Sequence, residues 1–199
     1  MKSTAFFCLF GTLLLSGVDS HFLDRTVFVI MSQEAHDETS ETSRLELKET
    51  LAKDGVKEPQ IALLHKDLPS HGGWTIFPLL APLWEKYSAS ADWYVFLDEA
   101  GTVHPGILKG VLNKHNPEDL VFLGKALQDQ DSVIIHHYSQ NLKFKYPDFA
   151  AGLVFSSFLV ATLATELEDS NFELEDFPKD FSIGKHLCDT SSLFLFQSH

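Results

Sequence analysis

The stretch Trp93–Gly101, which reads WYVFLDEAG, decides the fold expected for this chain. Its first five residues are aromatic or aliphatic and are followed at once by two acids, Asp98 and Glu99. A short apolar run of this kind is typical of a strand buried on both faces of a parallel sheet. Ligands of such sheets bind beyond the carboxyl ends of the strands, which is where the two acids fall. We therefore predict a buried strand at Trp93–Leu97 that ends at a functional edge.

Other apolar runs lie on both sides of this stretch and alternate with helical patterns. Further strands are predicted at Thr26–Met31, Gln60–Leu64, Leu120–Leu123 and Gly152–Phe155, with extended segments at Val133–His137 and Phe144–Tyr146. Helices are predicted at Ser40–Asp54, Thr75–Tyr87, Pro105–His115, Ser157–Leu167 and Asp180–Leu187. Pro78 and Pro82 should bend or break the second helix. Alternating strands and helices indicate a mostly parallel sheet with helices on both faces, and we expect Trp74, Trp93 and Phe96 in its core.

The first twenty residues have the layout of a secretory signal. Lys2 precedes the uncharged run Ala5–Leu15, and the small residues Val18 and Ser20 stand at the positions that signal peptidase reads. The apolar run is shorter than the roughly 20 residues of a membrane span. We expect a cleaved signal at residues 1–20; the alternatives are an uncleaved signal-anchor and a buried N-terminal helix.

Charge and cysteine content limit the classes of partner. The chain has 28 acidic and 15 basic side chains, a net charge of −13, which argues against nucleic acid as a partner. After signal cleavage removes Cys8, Cys188 is either buried and reduced or paired with a cysteine of another chain. The sequence contains no dinucleotide-binding, P-loop or nucleophile-elbow motif, which argues against those three kinds of site.

Two acidic positions are candidates for chemistry. Asp98 and Glu99, followed by a turn at Gly101, can hold a divalent cation against a diphosphate, since hard cations prefer carboxylate oxygen. The alternative for this pair is a solvated acidic turn. Asp180 opens a helical stretch, where a carboxylate acts as a general base or simply as an N-cap.

Five stretches together give the chain a resemblance to a known family. They are GGWTIFPLLAPLWEKY at Gly72–Tyr87, WYVFLDE at Trp93–Glu99, FLGKAL at Phe122–Leu127, IIHHY at Ile134–Tyr138 and FKYPDFAAG at Phe144–Gly152. The chain resembles the fringe-like β-1,3-glycosyltransferase family, and within it the N-terminal half of the glucosyltransferase branch. The resemblance implies a GT-A type α/β fold, one domain over residues 21–187 and a divergent tail at residues 188–199.

The resemblance also implies a donor and a metal. Active members of the family bind the phosphates of a UDP-sugar, here UDP-glucose, on Mn²⁺ held by an acidic triplet after a strand. Asp98, Glu99 and Ala100 stand at that triplet, and Asp180 stands where the family places its general base. Ala100 departs from the pattern, because alanine has no ligand atom.

A second departure falls on the expected donor-binding turn. The segment Phe149-Ala150-Ala151-Gly152 stands where the family usually has the sequence GGAG. By resemblance, Phe149, Ala151 and Gly152 are the donor-binding positions. Glycine lets a backbone approach a ligand closely, so a phenylalanine here is expected to narrow the donor pocket.

Three functional hypotheses follow from the resemblance and its departures. The first is a non-catalytic first module in the lumen of the endoplasmic reticulum or outside the cell. Its partners would be thrombospondin type 1 repeat proteins, whose O-linked fucose this branch extends with glucose, or a catalytic glycosyltransferase module. The second is an active, Mn²⁺-dependent, inverting UDP-hexose transferase. The third is a lectin-like lumenal binding protein without nucleotide chemistry.

Overall fold

A five-stranded sheet forms the centre of the computed structural model, which describes residues 22–68, 76–127 and 146–169. Its strands are β1 (Thr26–Ile30), β2 (Gln60–Leu63), β3 (Trp93–Leu97), β4 (Phe122–Gly124) and β7 (Leu153–Ser156), in the order β2-β1-β3-β7-β4. A second sheet pairs two short strands, β5 (Ala126–Leu127) and β6 (Tyr146–Pro147). The apolar runs of the sequence therefore become the central strands, as predicted.

Helices cover both faces of the large sheet. They are α1 (Asp37–Lys53), α2 (Leu64–Asp67), α3 (Phe77–Tyr87), α4 (Pro105–Leu112) and α5 (Ser157–Asp169), with short 3-10 helices at Phe22–Arg25, Glu34–His36 and Phe149–Ala151. Apolar side chains of α3 and α5 pack with one face of the sheet, and those of α1 and α4 pack with the other. Among the described residues, no helix combines the length and the apolar character that crossing a bilayer requires.

Side chains alternate along β3, and this alternation divides the core into two clusters, one on each face of the sheet. Tyr94 and Phe96 point to the α3/α5 face, whereas Trp93, Val95 and Leu97 point to the α1/α4 face. All five residues are buried. The predicted burial of Trp93 and Phe96 is confirmed; Trp74 lies outside the described residues.

The direction of β7 is the feature that the sequence pattern did not predict. β1 runs parallel to β2 and β3, but β7 lies between β3 and β4 and is antiparallel to both. Four of the five strands thus share one direction, and the sheet is mostly parallel. Local patterning specifies which residues form strands and leaves the order and direction of distant strands open.

The helix at Phe77–Tyr87 is continuous through Pro82, so the break that was one of the two expected outcomes does not occur. Pro78 lies in the first turn, where an N–H has no partner within the helix. Pro82 lies one turn further along and removes a single hydrogen bond. Leu79, Leu80 and Leu83 are buried against the sheet, and this packing stabilises the helix across its prolines.

Candidate functional site

The carboxyl ends of β1, β2 and β3 meet at one edge of the sheet, and Glu99 lies at its centre. Oε1 of Glu99 accepts hydrogen bonds from the backbone N–H of Gln33, at 2.7 Å, and from the Ser40 hydroxyl, at 3.1 Å. Oε2 lies 2.7 Å from Nδ1 of His36. The Glu99 carbonyl accepts a further hydrogen bond of 2.7 Å from the Ser43 hydroxyl. Both carboxylate oxygens are therefore bonded to the segment that opens α1.

These contacts stabilise the charged form of Glu99. Partial burial of the side chain raises its pKa, but hydrogen bonds from Gln33, His36 and Ser40 together outweigh burial, and the net pKa lies below its usual range. The carboxylate is partly buried and charged, and both of its oxygens are hydrogen-bonded. Such a group fixes the end of β3 against α1, and a metal ion would have to compete with three hydrogen-bonding partners for it.

Asp98 has a different environment from its neighbour. Its side chain is exposed, and its carbonyl accepts a 2.9 Å hydrogen bond from Gly101 N–H, which closes the turn after β3. Ala100 is exposed in the same turn. In the described ranges 22–68, 76–127 and 146–169, no three His, Cys, Asp or Glu side chains cluster so that they could hold a metal ion. Of the two predicted metal ligands, Asp98 has an exposed carboxylate, whereas both carboxylate oxygens of Glu99 are already hydrogen-bonded.

A second polar network lies beside the first, between α2 and the start of α1. Nε2 of His65 lies 3.0 Å from Oδ1 of Asp37, and Nδ1 lies 2.7 Å from the Ser32 hydroxyl. Hydrogen bonds from Lys66 and then from His65 lower the pKa of Asp37. These residue types also occur in nucleophilic triads, but Ser32 is only 1% exposed, so no substrate can reach its hydroxyl. The network therefore joins β1, α2 and α1 and has no nucleophile.

An apolar cleft of about 400 Å³ opens between α4 and the β3-β7-β4 side of the sheet. Ala151 and Gly152, two of the three predicted donor-binding residues, line it. Gly152 has φ +81°, and a Cβ at this position would lie 3.3 Å from the Phe96 carbonyl oxygen. Only glycine fits that combination of conformation and close contact without strain.

The polar groups of this cleft are few. Among the described residues that line the cleft, Lys125 is the only lysine or arginine, and its ammonium group forms a 2.9 Å ion pair with Asp148. That hydrogen bond lowers the pKa of Asp148. A diphosphate in the cleft would meet apolar walls and a cation that is already paired.

Phe149, the third predicted donor-binding residue, has a different position. It is partly buried and packs against the core cluster on the α3/α5 face, and it is absent from the lining of the cleft. Its ring therefore packs against the core on the α3/α5 face and does not enter the cleft. Asp180, Cys188 and residues 1–20 lie outside the described part of the chain, so the predicted base and signal remain predictions.

Sequence reasoning missed Gln33, His36 and Ser40 as partners of Glu99. These three residues precede Glu99 by 66, 63 and 59 positions, and no motif joins them. The available signal was a polar segment between a buried strand and a helix, which also fits an ordinary loop.

Comparison with known proteins identifies the class of fold. A solved structure of a glycosyltransferase involved in the glycosylation of the major capsid of PBCV-1 superposes with a TM-score of 0.51 at 11% identity, over 87% of this chain and 80% of that one. At this identity the likeness concerns the fold alone, a glycosyltransferase-type α/β sandwich.

Sequence comparison gives the particular family. The model of the fringe-like family matches residues 79–191, more than half of the chain, so the chain belongs to the fringe-like family. It is 38% identical over 166 residues to a β-1,3-glucosyltransferase of Mus musculus and 37% identical over 162 residues to one of Homo sapiens. These matches cover 81% and 79% of this chain but 33% and 32% of the relatives. The chain thus spans about a third of the length of the relatives that it matches.

Proposed function

We propose that this chain is a non-catalytic fringe-like module that acts in the secretory pathway. In this role it binds a thrombospondin type 1 repeat acceptor or supports a catalytic glycosyltransferase module, and it transfers no sugar by itself. The observation that carries the proposal is the engagement of Glu99, whose two carboxylate oxygens are bonded to Gln33, His36 and Ser40.

The charge available at the expected metal position supports this proposal. A UDP-sugar brings two phosphate charges to the site, and the leaving diphosphate gains charge in the transition state. A firmly held cation normally offsets this charge. Asp98 is exposed, Glu99 is engaged and Ala100 has no ligand atom, so this chain offers one free carboxylate at the expected metal position. Among its described lining residues, the apolar cleft beside Gly152 offers no unpaired lysine or arginine to take the place of the cation.

The test combines turnover and binding on the full chain. We expect no Mn²⁺-dependent release of UDP from UDP-glucose in the presence of a fucosylated thrombospondin type 1 repeat, and measurable binding of that repeat by biolayer interferometry. Release of UDP that is lost in Asp98→Asn or Asp180→Asn, and kept in the exposed-loop control Glu58→Gln, would overturn the proposal and establish an active transferase. Failure to bind both the repeat and the remaining two thirds of a β-1,3-glucosyltransferase would also overturn the module role.

A further inference from the structure

A second pocket lies at the opposite edge of the sheet from Asp98. Residues 114–121 precede β4, and Phe158 follows β7, whose direction is opposite to that of β4. Both segments therefore meet at the amino ends of the parallel strands. β3 separates the two edges by about 16 Å, since a strand rises about 3.3 Å per residue. The pocket is thus distinct from the edge where the family resemblance places a nucleotide-sugar.

An exposed aromatic ring is the main feature of this pocket. Phe158 is 48% exposed, although phenylalanine is among the residues most often buried. It lines a cavity of about 650 Å³, within the range of small-ligand pockets, roughly 300–1,000 Å³. Leu120 and Phe122 add apolar surface, and Asn116, Glu118 and Asp119 add polar groups around it.

The polar groups are available for a ligand. Within the described part of the chain, the side chains of Lys114, Glu118 and Asp119 are exposed and form no ion pair or hydrogen bond. His115 also lines the pocket, and its Nε2 is buried with no hydrogen-bond partner among the described residues. Such an atom costs free energy until a partner is supplied, and a turn of the ring would present it to a ligand hydroxyl.

The pocket is held in shape by one buried serine. The Ser156 hydroxyl donates a 2.6 Å hydrogen bond to the Asp119 carbonyl and accepts hydrogen bonds from the N–H groups of Val121 and Leu159, at 3.1 and 3.2 Å. Phe158 N–H donates to the Pro117 carbonyl at 3.3 Å. The loop before β4 and the first turn of α5 are therefore fixed to each other before any ligand arrives, which lowers the entropic cost of binding.

We infer that this pocket is a binding site for a neutral pyranose sugar. The apolar face of a pyranose stacks on an exposed aromatic ring, and its hydroxyls both donate to carboxylates and accept from amide and imidazole N–H groups. Two acids against one lysine leave the rim with net negative charge, which disfavours phosphate and uronic acid. The site would hold part of a glycan at the edge of the sheet opposite Asp98. This inference does not depend on the proposed function.

The test uses saturation-transfer NMR on the full chain with laminaribiose, a neutral β-1,3-linked disaccharide, and with glucuronic acid as the charged comparison. We expect saturation transfer to laminaribiose and at least tenfold weaker transfer to glucuronic acid. Phe158→Leu, which keeps apolar bulk but removes the aromatic face, should reduce binding about tenfold or more, whereas Phe158→Trp should retain it.

The matched control is Leu45→Ala, because Leu45 is 59% exposed on α1, away from this pocket. It should leave laminaribiose binding unchanged. No transfer to laminaribiose at millimolar concentration would overturn the inference. So would equal binding by Phe158→Leu and the parent, or preference for the charged sugar. Binding of a thrombospondin type 1 repeat that lacks glycans, lost in Phe158→Leu, would assign the pocket to protein recognition instead.

Discussion

Arg25 and Asp92 are joined by two parallel hydrogen bonds, Nε to Oδ2 and a terminal guanidinium nitrogen to Oδ1, each 2.7 Å long. The Asp92 N–H also donates to the Arg25 carbonyl at 2.7 Å, and the Asp92 carbonyl accepts from Ser157 N–H. Arg25 precedes β1 and Asp92 precedes β3. The pair therefore fixes the amino ends of two neighbouring parallel strands and the start of α5.

Removal of the guanidinium should weaken this end of the sheet slightly. We expect Arg25→Ala to lower the free energy of unfolding by about 1 kcal/mol, a modest value because the pair is largely solvent-exposed. Urea denaturation would measure it. Lys53→Ala is the control, since Nζ of Lys53 lies 3.9 Å from Oε2 of Glu49 and both side chains are highly exposed. This variant should change the free energy of unfolding by close to zero. Equal effects of the two variants would contradict a structural role for the bidentate pair.

Replacing Glu99 by a neutral residue should lower the free energy of unfolding by an amount that depends on pH. We expect Glu99→Gln to lower the free energy of unfolding by about 1–2 kcal/mol at neutral pH, since the carboxylate accepts hydrogen bonds from Gln33 and Ser40 and contacts His36. The pKa of Glu99 is lower in the folded chain than its ordinary value of 4.5. Its stabilisation is therefore complete above that value and is lost as the pH falls through the folded pKa.

Thermal melts of parent and variant over a pH series would check this expectation. The gap in melting midpoint should be widest near neutrality and should close as the pH falls below 4.5 and through the lowered pKa of Glu99. Glu34→Gln is the matched control, an exposed acid at the start of the 3-10 helix Glu34–His36, and it should show no such gap. A gap that stays constant into acid would mean that the charge of Glu99 contributes nothing.

Two glycines with positive φ should differ in their tolerance of a methyl group. Gly55 has φ +92° and nothing within 4 Å of an added Cβ, so Gly55→Ala should cost about 1 kcal/mol from backbone conformation alone. At Gly152 the added Cβ also meets the Phe96 carbonyl oxygen at 3.3 Å, and we expect about 2–3 kcal/mol. Urea denaturation of both variants tests the difference. Equal costs would show that the close approach beside the cleft is unimportant.

Truncation of the core aromatic on β3 should be severe. Phe96 is 2% exposed, and its ring centroid lies 5.2 Å from that of Phe155. We expect Phe96→Ala to lower the free energy of unfolding by about 3–5 kcal/mol, because it removes buried contacts and leaves a cavity. Phe158→Ala, at the exposed ring, is the comparison and should change the melting midpoint little. A small effect at Phe96 would contradict its place in the core.

The sequence predicted the strands closely because a buried strand has a local signature. The run at Trp93–Leu97 gives β3 with its predicted bounds, and Thr26–Met31 gives β1 with one residue fewer. Helix α1 begins at Asp37, three residues before the predicted start, since acidic residues in its first turn are favoured by the helix dipole. Which strands pair, and in which direction, depends on contacts between distant residues, so the position of β7 was not predictable.

The sequence predicted where the candidate site lies but not which of its carboxylates are hydrogen-bonded. The pattern placed Asp98 and Glu99 at the carboxyl end of a buried strand, and they lie there. It did not indicate that Glu99 is bonded to residues that open α1, because those contacts arise only after β1 and β3 pair. Nor did it indicate the pocket at Phe158, since one phenylalanine in a helical pattern is usually a core residue.

The position of β7 also determines the order in which the sheet can be completed during synthesis. β1, β2 and β3 pair with one another and are all present once residue 97 has left the ribosome. β4 is made next, and within the described ranges it pairs with β7 alone, whose last residue is Ser156. Until then the free edge of β3 and the whole of β4 expose unpaired backbone groups, and open strand edges promote aggregation. A nascent chain that stalls in this interval is therefore the form that most needs a chaperone.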